Sequence, residues 1–351
     1  MMAGLHAKDE FEASPSMELN IAQLATSFGA VAGQGMDQVD NFGSLGSNVV
    51  DGLFDGPVVM GRSIPSMLPA AMKELTNEGS EAVLQRTPGV LMVHRFLGKG
   101  TFGEVYHCHV EGLGDIAIKV LQRGTDITLK REIELHSKLQ HPHIVGLMRI
   151  VHGQPPMMFL QYCEGGSIER LIHSKRIDLT ALAIKPRVDA MIQVASAIEY
   201  LHDQAIVHRD VKSGNVFFTS HVAPSPTELP PVMLGDLGCA KPLDSSMTNA
   251  IGTARYMAPE VMETNVYGPP VDIFSCSVLL FELITGQVPF KGMNEANIIA
   301  AIMMGKRPSL EEVPKCVNGI ILRVIISTCW ADAPEERLTA GSLIRSLQGV
   351  E

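Results

Sequence analysis

Basic residues are in short supply: Lys and Arg number 28 against 38 Asp and Glu, for a formal charge of −10. That balance excludes a generally basic nucleic-acid-binding surface and leaves only local basic grooves open. Cysteine is sparse as well. The six (Cys108, Cys163, Cys239, Cys276, Cys316 and Cys329) form no Cys-x-x-Cys pair, so neither a disulfide framework nor a zinc site is indicated. They read as reduced thiols, and an intracellular, cytoplasmic protein is expected. Long apolar runs are missing too. The most apolar stretch, Val317 to Cys329, is interrupted by Arg323 and is too short to cross roughly 30 Å of hydrocarbon, so it reads as a core helix and no membrane span is expected. The opening Met-Met-Ala turns acidic at Asp9-Glu10, where a signal peptide needs its apolar region, and it lacks the second-position Gly of a myristoylation signal.

What is present is an ordinary globular composition, 46% hydrophobic and 19% charged over 351 residues, long enough for about two folding units. Residues 1–88 differ from the rest: four basic and eleven acidic residues, no Tyr or Trp, and Gly-rich breaks at 33–35 and 43–47. They are expected to form an acidic, largely flexible N-terminal tail that could rest against basic patches of the remainder. From about Val90 the texture changes to short β-type runs at Leu91–Leu97, Glu104–Val110 and Asp115–Leu121, separated by turns. A helix is predicted at about Thr128–Leu139, and a further apolar run, Pro156–Tyr162, ends at Glu164-Gly165-Gly166-Ser167. Beyond that break helices dominate, with Val188, Met191, Ile192, Ala195, Ile198 and Leu201 spaced along one helix face. Strands first and helices after predict an α+β fold.

Four strings carry chemistry. Gly98-Lys99-Gly100-Thr101-Phe102-Gly103 would let backbone N–H groups approach a polyphosphate. The segment after it reads as a returning strand, which argues against a dinucleotide fold, where a helix follows the glycines. In Ala117-Ile118-Lys119-Val120 a Lys inside an apolar strand needs an anionic partner, for which Glu132 on the next helix is a candidate. Taken singly, Lys119 also fits an edge residue reaching for water and Glu132 a solvated helix charge. More specific is His208-Arg209-Asp210-Val211-Lys212-Ser213-Gly214-Asn215. Its Asp can accept a hydroxyl proton, its Lys can neutralise a transferring phosphoryl group, and its Asn oxygen suits a hard cation. Asp236-Leu237-Gly238 then adds a second carboxylate suited to Mg²⁺.

This ordered set, with Ala258-Pro259-Glu260, resembles the eukaryotic protein kinase catalytic domain over about Val90 to Gln348. The resemblance implies a two-lobed α+β fold: a small antiparallel β lobe at about 90–163 and a larger, mostly helical lobe at about 164–349, within a kinase domain at 90–349. It implies ATP and Mg²⁺ as cofactors, Asp210 as catalytic base or hydroxyl-orienting residue, and Lys212 as a γ-phosphate contact. Lys119 would hold the α and β phosphates while paired to Glu132, and Asn215 and Asp236 would ligate Mg²⁺. Leu97, Gly98, Lys99, Gly100, Thr101, Phe102 and Gly103 would cover the nucleotide. Val105 and Ala117 would lie against the adenine, Leu160 would be the gatekeeper of a narrow back pocket, and Gln161 and Cys163 would present backbone groups to the adenine edge.

Lys212 and Gly252-Thr253-Ala254-Arg255 are similar to serine/threonine kinases, where the Thr253 hydroxyl would bond near Asp210 and Lys212. Cys329-Trp330 and Lys212-Ser213-Gly214-Asn215 lean toward the tyrosine-kinase-like group of these. Arg337 is expected to pair with Glu260. Arg209 resembles the Arg that meets a phosphorylated activation segment, with Ser245, Ser246 and Thr248 as candidate sites for an upstream activating kinase. Protein substrates bearing Ser or Thr are implied. Leu237 where Phe is usual, and Phe274 and Ser277 in Asp272-Ile273-Phe274-Ser275-Cys276-Ser277 where Trp and Gly are common, keep open a pseudokinase scaffold without turnover. Phosphorylation of Tyr as well is a further alternative. Residues 219–231 are expected to form an enlarged exposed hairpin loop, and Cys239 is either a reactive thiol or a buried inert one.

Overall fold

The computed structural model describes residues 91–100, 103–110, 113–121, 126–151, 155–174, 179–223, 227–242, 253–263 and 267–350. The acidic stretch 1–88, Thr101 and Phe102, and the candidate sites Ser245, Ser246 and Thr248 lie outside them.

Five strands open the described chain: β1 (Leu91–Gly100), β2 (Gly103–Val110), β3 (Gly114–Leu121), β4 (Leu147–Val151) and β5 (Met157–Gln161). They pair antiparallel in the order β1-β2-β3-β5-β4. Alternation decides their faces: Tyr106, Cys108, Val110, Ile116, Ile118 and Phe159 are buried together on one side, which leaves Val105, Ala117 and Lys119 on the other. Helix α1 (Asp126–Lys138) joins β3 to β4 and carries Glu132. Strand β4 escaped the sequence reading because all five of its residues are half-buried, so it has no alternating pattern.

The larger lobe begins with the short strand β6 (Gly166–Ser167) and helix α2 (Ile168–Ser174). Its core is α3 (Ile184–Asp203) packed on α5 (Pro270–Thr285), with α4 (Pro259–Glu263) just before α5. Val188, Met191, Ala195, Ile198 and Leu201 of α3 are fully buried, while Ile192 is half-buried at the rim of that face. In α5 every residue from Val271 to Thr285 is buried. Pro270 starts that helix, where a missing N–H costs nothing, and Gly286 ends it at φ 66°. Arg187 ties the two together by donating to the carbonyl oxygens of Ile284 (2.6 Å) and Leu182 (2.8 Å).

Between α3 and α4 the short strands β7 (Ile206–Val207), β8 (Val216–Phe218), β9 (Val232–Leu234) and β10 (Lys241–Pro242) form two small sheets, β6-β8-β9 and β7-β10. Of residues 219–231, residues 224–226 lie outside the described ones; the rest lie between β8 and β9, with Thr219 N–H donating to the Pro231 carbonyl at 2.9 Å. His221 is exposed, as expected of such a loop, yet Val222 and Leu229 fold back onto the core.

Helices α6 (Glu295–Met303), α7 (Val317–Cys329) and α8 (Ala340–Gln348) complete the lobe. Helix α7 corrects the expectation of a core helix. Leu322, Ile325, Ile326 and Cys329 are buried, but Val317, Ile320 and Val324 are 74%, 60% and 61% exposed, because only one side of the helix packs inward. Among the described residues no helix is long and apolar enough to cross a membrane.

Candidate active site

The two lobes meet at a buried ammonium. Lys119 on β3 lies 2.6 Å from Glu132 Oε1 on α1 and 2.8 Å from Asp236 Oδ1, which follows β9. Burial alone would lower the Lys119 ammonium, but the Asp236 and Glu132 carboxylates outweigh it and hold the group above its ordinary value. Burial raises Glu132. It acts the same way on Asp236, where Lys119, His208 and Lys212 prevail and keep the carboxyl below its usual range. Glu132 Oε2 is buried and makes no hydrogen bond.

Behind this cluster stands a polar loop between β7 and β8. Asp210 Oδ2 accepts from Lys212 Nζ (2.7 Å) and Asn215 Nδ2 (2.9 Å), and the same Asn215 nitrogen reaches the Asp210 carbonyl at 2.9 Å. Lys212 also donates to Thr253 Oγ1 at 3.1 Å. With the amide nitrogen committed, the Asn215 side-chain oxygen carries no hydrogen bond among the described residues. The same holds for Asp236 Oδ2, and Gly235 N–H donating to the Asn215 carbonyl at 2.8 Å ties the two segments together. Two hard oxygen donors beside a loop of carboxylate and ammonium fit Mg²⁺.

The loop is held in strain. Arg209 sits at φ 72° and Asp236 at φ 59°, left-handed conformations that a non-glycine residue keeps only when its surroundings impose them. For Arg209 the imposing group is Asp272 on α5, fully buried. Its Oδ2 accepts from His208 N–H (2.9 Å) and is 2.9 Å from His202 Nε2, while Oδ1 accepts from Arg209 N–H (2.8 Å). Burial would raise the Asp272 carboxyl, and its hydrogen bonds overcome that and hold it low. The Arg209 side chain donates to the Cys239 carbonyl (3.3 Å) and lies over the Tyr267 ring.

Above the cleft, Gly98, Lys99 and Gly100 end β1, and Lys99 Nζ meets Glu104 Oε1 at 3.2 Å across the hairpin. Gly103 is required by packing, since a Cβ there would lie 2.2 Å from the Val120 carbonyl oxygen, whereas a Cβ on Gly98 would meet nothing within 4 Å. That open space, in the cross-strand row that runs through Val105 to Lys119, suits a polyphosphate. Leu97 is 39% exposed on the same strand. Ala117 pairs with Leu160, and Val105 with Lys119, so adenine-facing candidates share one sheet face. Gln161 N–H donates to the Gly146 carbonyl (2.9 Å) and the Cys163 carbonyl accepts from Gly166 N–H (3.2 Å).

The substitutions that raised doubt are absorbed by packing. Leu237 is buried in the main core. The Phe274 ring has the guanidinium groups of Arg307 and Arg337 over it, 5.0 and 5.1 Å from its centre, and Ser277 Oγ donates to the Phe274 carbonyl at 2.6 Å. Arg337 and Glu260 form a two-pronged pair, 2.6 and 2.8 Å. Cys239 is buried, its thiol pushed up to about 12 by burial, which makes it an inert group.

The sequence reading missed Glu282. It is buried on α5 and accepts a short hydrogen bond from Tyr256, whose hydroxyl also lies 2.9 Å from Ser213 Oγ of the polar loop. A Glu inside Leu279-Leu280-Phe281-Glu282-Leu283-Ile284 was the available signal, because a carboxyl in an apolar run needs a partner. Burial lifts Glu282 to about 7, against the lowering effect of Tyr256 and Ser213. The folded state therefore holds a proton that the unfolded chain, near 4.5, releases. Stability present below about pH 4.5 should fall by about 3 kcal/mol as pH rises through 7. Glu282→Gln is expected to unfold at clearly higher urea than wild type at pH 8 and to differ little at pH 5; an equal difference at both refutes this.

A family model described as protein kinase domain matches residues 91–347. A probable serine/threonine-protein kinase of Dictyostelium discoideum is 29% identical over 270 residues, 74% of this chain and 28% of that protein. Calcium/calmodulin-dependent protein kinase type 1 of Macrobrachium nipponense is 31% identical over 267 residues, 73% of this chain and 75% of that protein. Mitogen-activated protein kinase kinase kinase 11 of Homo sapiens is 27% identical over 273 residues, 74% of this chain and 31% of that protein. The chain thus spans less than a third of the Dictyostelium and human proteins.

Proposed function

The chain belongs to the protein kinase domain family, and on that premise we propose that it transfers the γ-phosphate of ATP to Ser and Thr hydroxyls of protein substrates. The observation that carries this reading is the buried Lys119 bridging Glu132 and Asp236 in front of the Asp210–Lys212–Asn215 loop. In it, Lys119 binds the α and β phosphates, held in place by Glu132. Gly98, Gly100 and Gly103, with Leu97, Lys99, Thr101 and Phe102, cover the phosphates. Val105, Ala117 and Leu160 enclose the adenine, and the backbone of Gln161 and Cys163 faces its edge. Asn215 and Asp236 hold Mg²⁺, which when bound neutralises phosphate charge.

Asp210 has one oxygen engaged by Lys212 and Asn215, and its other oxygen takes the substrate hydroxyl proton. Lys212 reaches the transferring group, and Thr253, bonded to Lys212, sets the substrate side of the loop. The kinase domain is assigned to 90–349, with lobes at about 90–163 and 164–349 and an acidic N-terminal tail at 1–88. Arg209 receives an activation-segment phosphate placed on Ser245, Ser246 or Thr248 by an upstream kinase, and Glu260 with Arg337 anchors the end of that segment. An intracellular, cytoplasmic setting accords with six free thiols. Nothing in the relatives or among the described residues favours a scaffold without turnover.

The test is phosphate transfer from ATP by the full chain, with and without Mg²⁺, followed by identification of the modified amino acids. Phosphoserine and phosphothreonine formed only with Mg²⁺, and lost in Asp236→Asn, are expected. Wild type as silent as that variant on broad substrates, after treatment with an upstream kinase, would replace this reading with a nucleotide-binding scaffold.

A further inference from the structure

The sheet face that carries Lys119 continues, at its far end, into a cluster that phosphoryl transfer does not use. On β2 the buried residues are Tyr106, Cys108 and Val110, so alternation turns His107 and His109 to the opposite face. Asp115 on β3 pairs with His109 and shares that face. Strand β1 contributes through an irregularity: its register slips between Val93 and Arg95, and the extra residue is His94. Slips of this kind re-aim a side chain.

Three imidazoles consequently surround one carboxylate oxygen. Asp115 Oδ1 lies 3.0 Å from His109 Nδ1, 3.5 Å from His107 Nε2 and 3.8 Å from His94 Nε2. The ligand atoms of His94, His109 and Asp115 all fall within 4.8 Å of one another. Donors in a tetrahedral zinc shell, with bonds of about 2.0–2.1 Å, stand about 3.4 Å apart, so the separations here exceed those of such a shell by at most about 1.4 Å.

A simple His–Asp hydrogen bond accounts for His109 alone. His107 Nε2 is shut off from solvent and has only a long, poorly aligned approach to the Asp115 carboxylate at 3.5 Å, so its hydrogen-bonding capacity is not fully met. Its ring stacks on Tyr162 at 3.9 Å, and Arg95 donates to the Tyr162 hydroxyl at 2.7 Å. His94, His109 and Asp115 are each about half exposed, which leaves an open approach.

We propose that His94, His109 and Asp115, flanked by His107, bind one divalent transition-metal ion of the zinc class. Imidazole nitrogens with one carboxylate suit such an ion and discriminate against Mg²⁺, which belongs with the oxygen donors of Asn215 and Asp236. Cysteine spacing gave no hint of this site, because its donors come from three strands and no cysteine takes part.

The experiment is titration of the metal-free full chain with Zn²⁺, and separately with Co²⁺, in excess Mg²⁺. The expected result is one tight equivalent of Zn²⁺, the intense visible absorption of four-coordinate Co²⁺, and a rise in unfolding temperature with Zn²⁺. Affinity should drop about tenfold or more in His94→Ala and in Asp115→Asn. His221→Ala, which alters an exposed His elsewhere, should change nothing. Both site residues are surface groups, and circular dichroism checks that the variants fold. Binding no tighter than in the Asp115→Asn and His94→Ala variants, or a Co²⁺ spectrum that stays six-coordinate, overturns the proposal.

Discussion

Replacing Asp210 by Asn is expected to lower kcat for phosphate transfer by about 10²- to 10⁴-fold, the share usually supplied by a positioned general base. The reason is local. Asp210 Oδ2 is occupied by Lys212 and Asn215, so the charge and the second oxygen are what the residue offers a substrate hydroxyl. An amide keeps the acceptor for both donors and loses the negative charge that draws the hydroxyl proton. The loop should keep its shape, because its strained Arg209 is clamped by Asp272 and not by Asp210. Nucleotide affinity should change little, since Lys119, Glu132 and Asp236 are untouched. Comparing kcat, KM for ATP and unfolding temperature of the two proteins decides it. A kcat within threefold of wild type would remove Asp210 from the chemistry, and a collapsed unfolding temperature would make it structural.

Much of this site could be read from sequence because its chemistry rests on short strings with fixed internal spacing. Asp210, Lys212 and Asn215 lie within six residues, and one loop brings all three together. Lys119 stood out since an ammonium in an apolar strand demands an anion, and the demand is met by Glu132, thirteen residues on, and by Asp236. Bulk burial decided the strands: β1, β2, β3 and β5 fall within a few residues of the expected runs, while half-buried β4 gave no pattern.

What escaped depends on distant partners. The oxygens of Asp272 meet backbone N–H groups more than sixty residues away, and a backbone donor leaves no mark in the sequence. Helix α7 looked like core because apolar residues dominate its composition, Arg323 being its one charged residue. Periodicity cannot say whether the second face has a neighbour, and Val317, Ile320 and Val324 lie exposed. The histidines of the small lobe are unremarkable singly and gain meaning only from the β1 irregularity and the β2–β3 register.

The ion pair between Arg337 and Glu260 should be the most costly stabilising contact to break. Arg337 follows the turn at Pro334–Glu336, and its guanidinium is fully buried, with Nη1 and Nη2 each on one Glu260 oxygen. The remaining donors reach the carbonyls of Ala331 (2.9 Å), Pro270 (3.1 Å) and Asp332 (3.2 Å), and the plane lies 5.1 Å from the Phe274 ring centre. One side chain thus joins α4, the start of α5 and the turn before α8. Arg337→Met fills much of the same volume but strips Glu260 of its bidentate partner and three carbonyls of a donor. Removing one partner of a buried pair costs about 3–5 kcal/mol, and that loss should appear as a large drop in the urea midpoint. Arg337→Lys, which keeps the charge but not the fork, should recover only part of it. The double variant Glu260→Gln, Arg337→Met should lose less than the two single losses together, because the carboxylate stranded by Arg337→Met is then absent. Strict additivity, or a loss within 1 kcal/mol, would mean that the pair contributes nothing and that α4 is held by its apolar contacts alone.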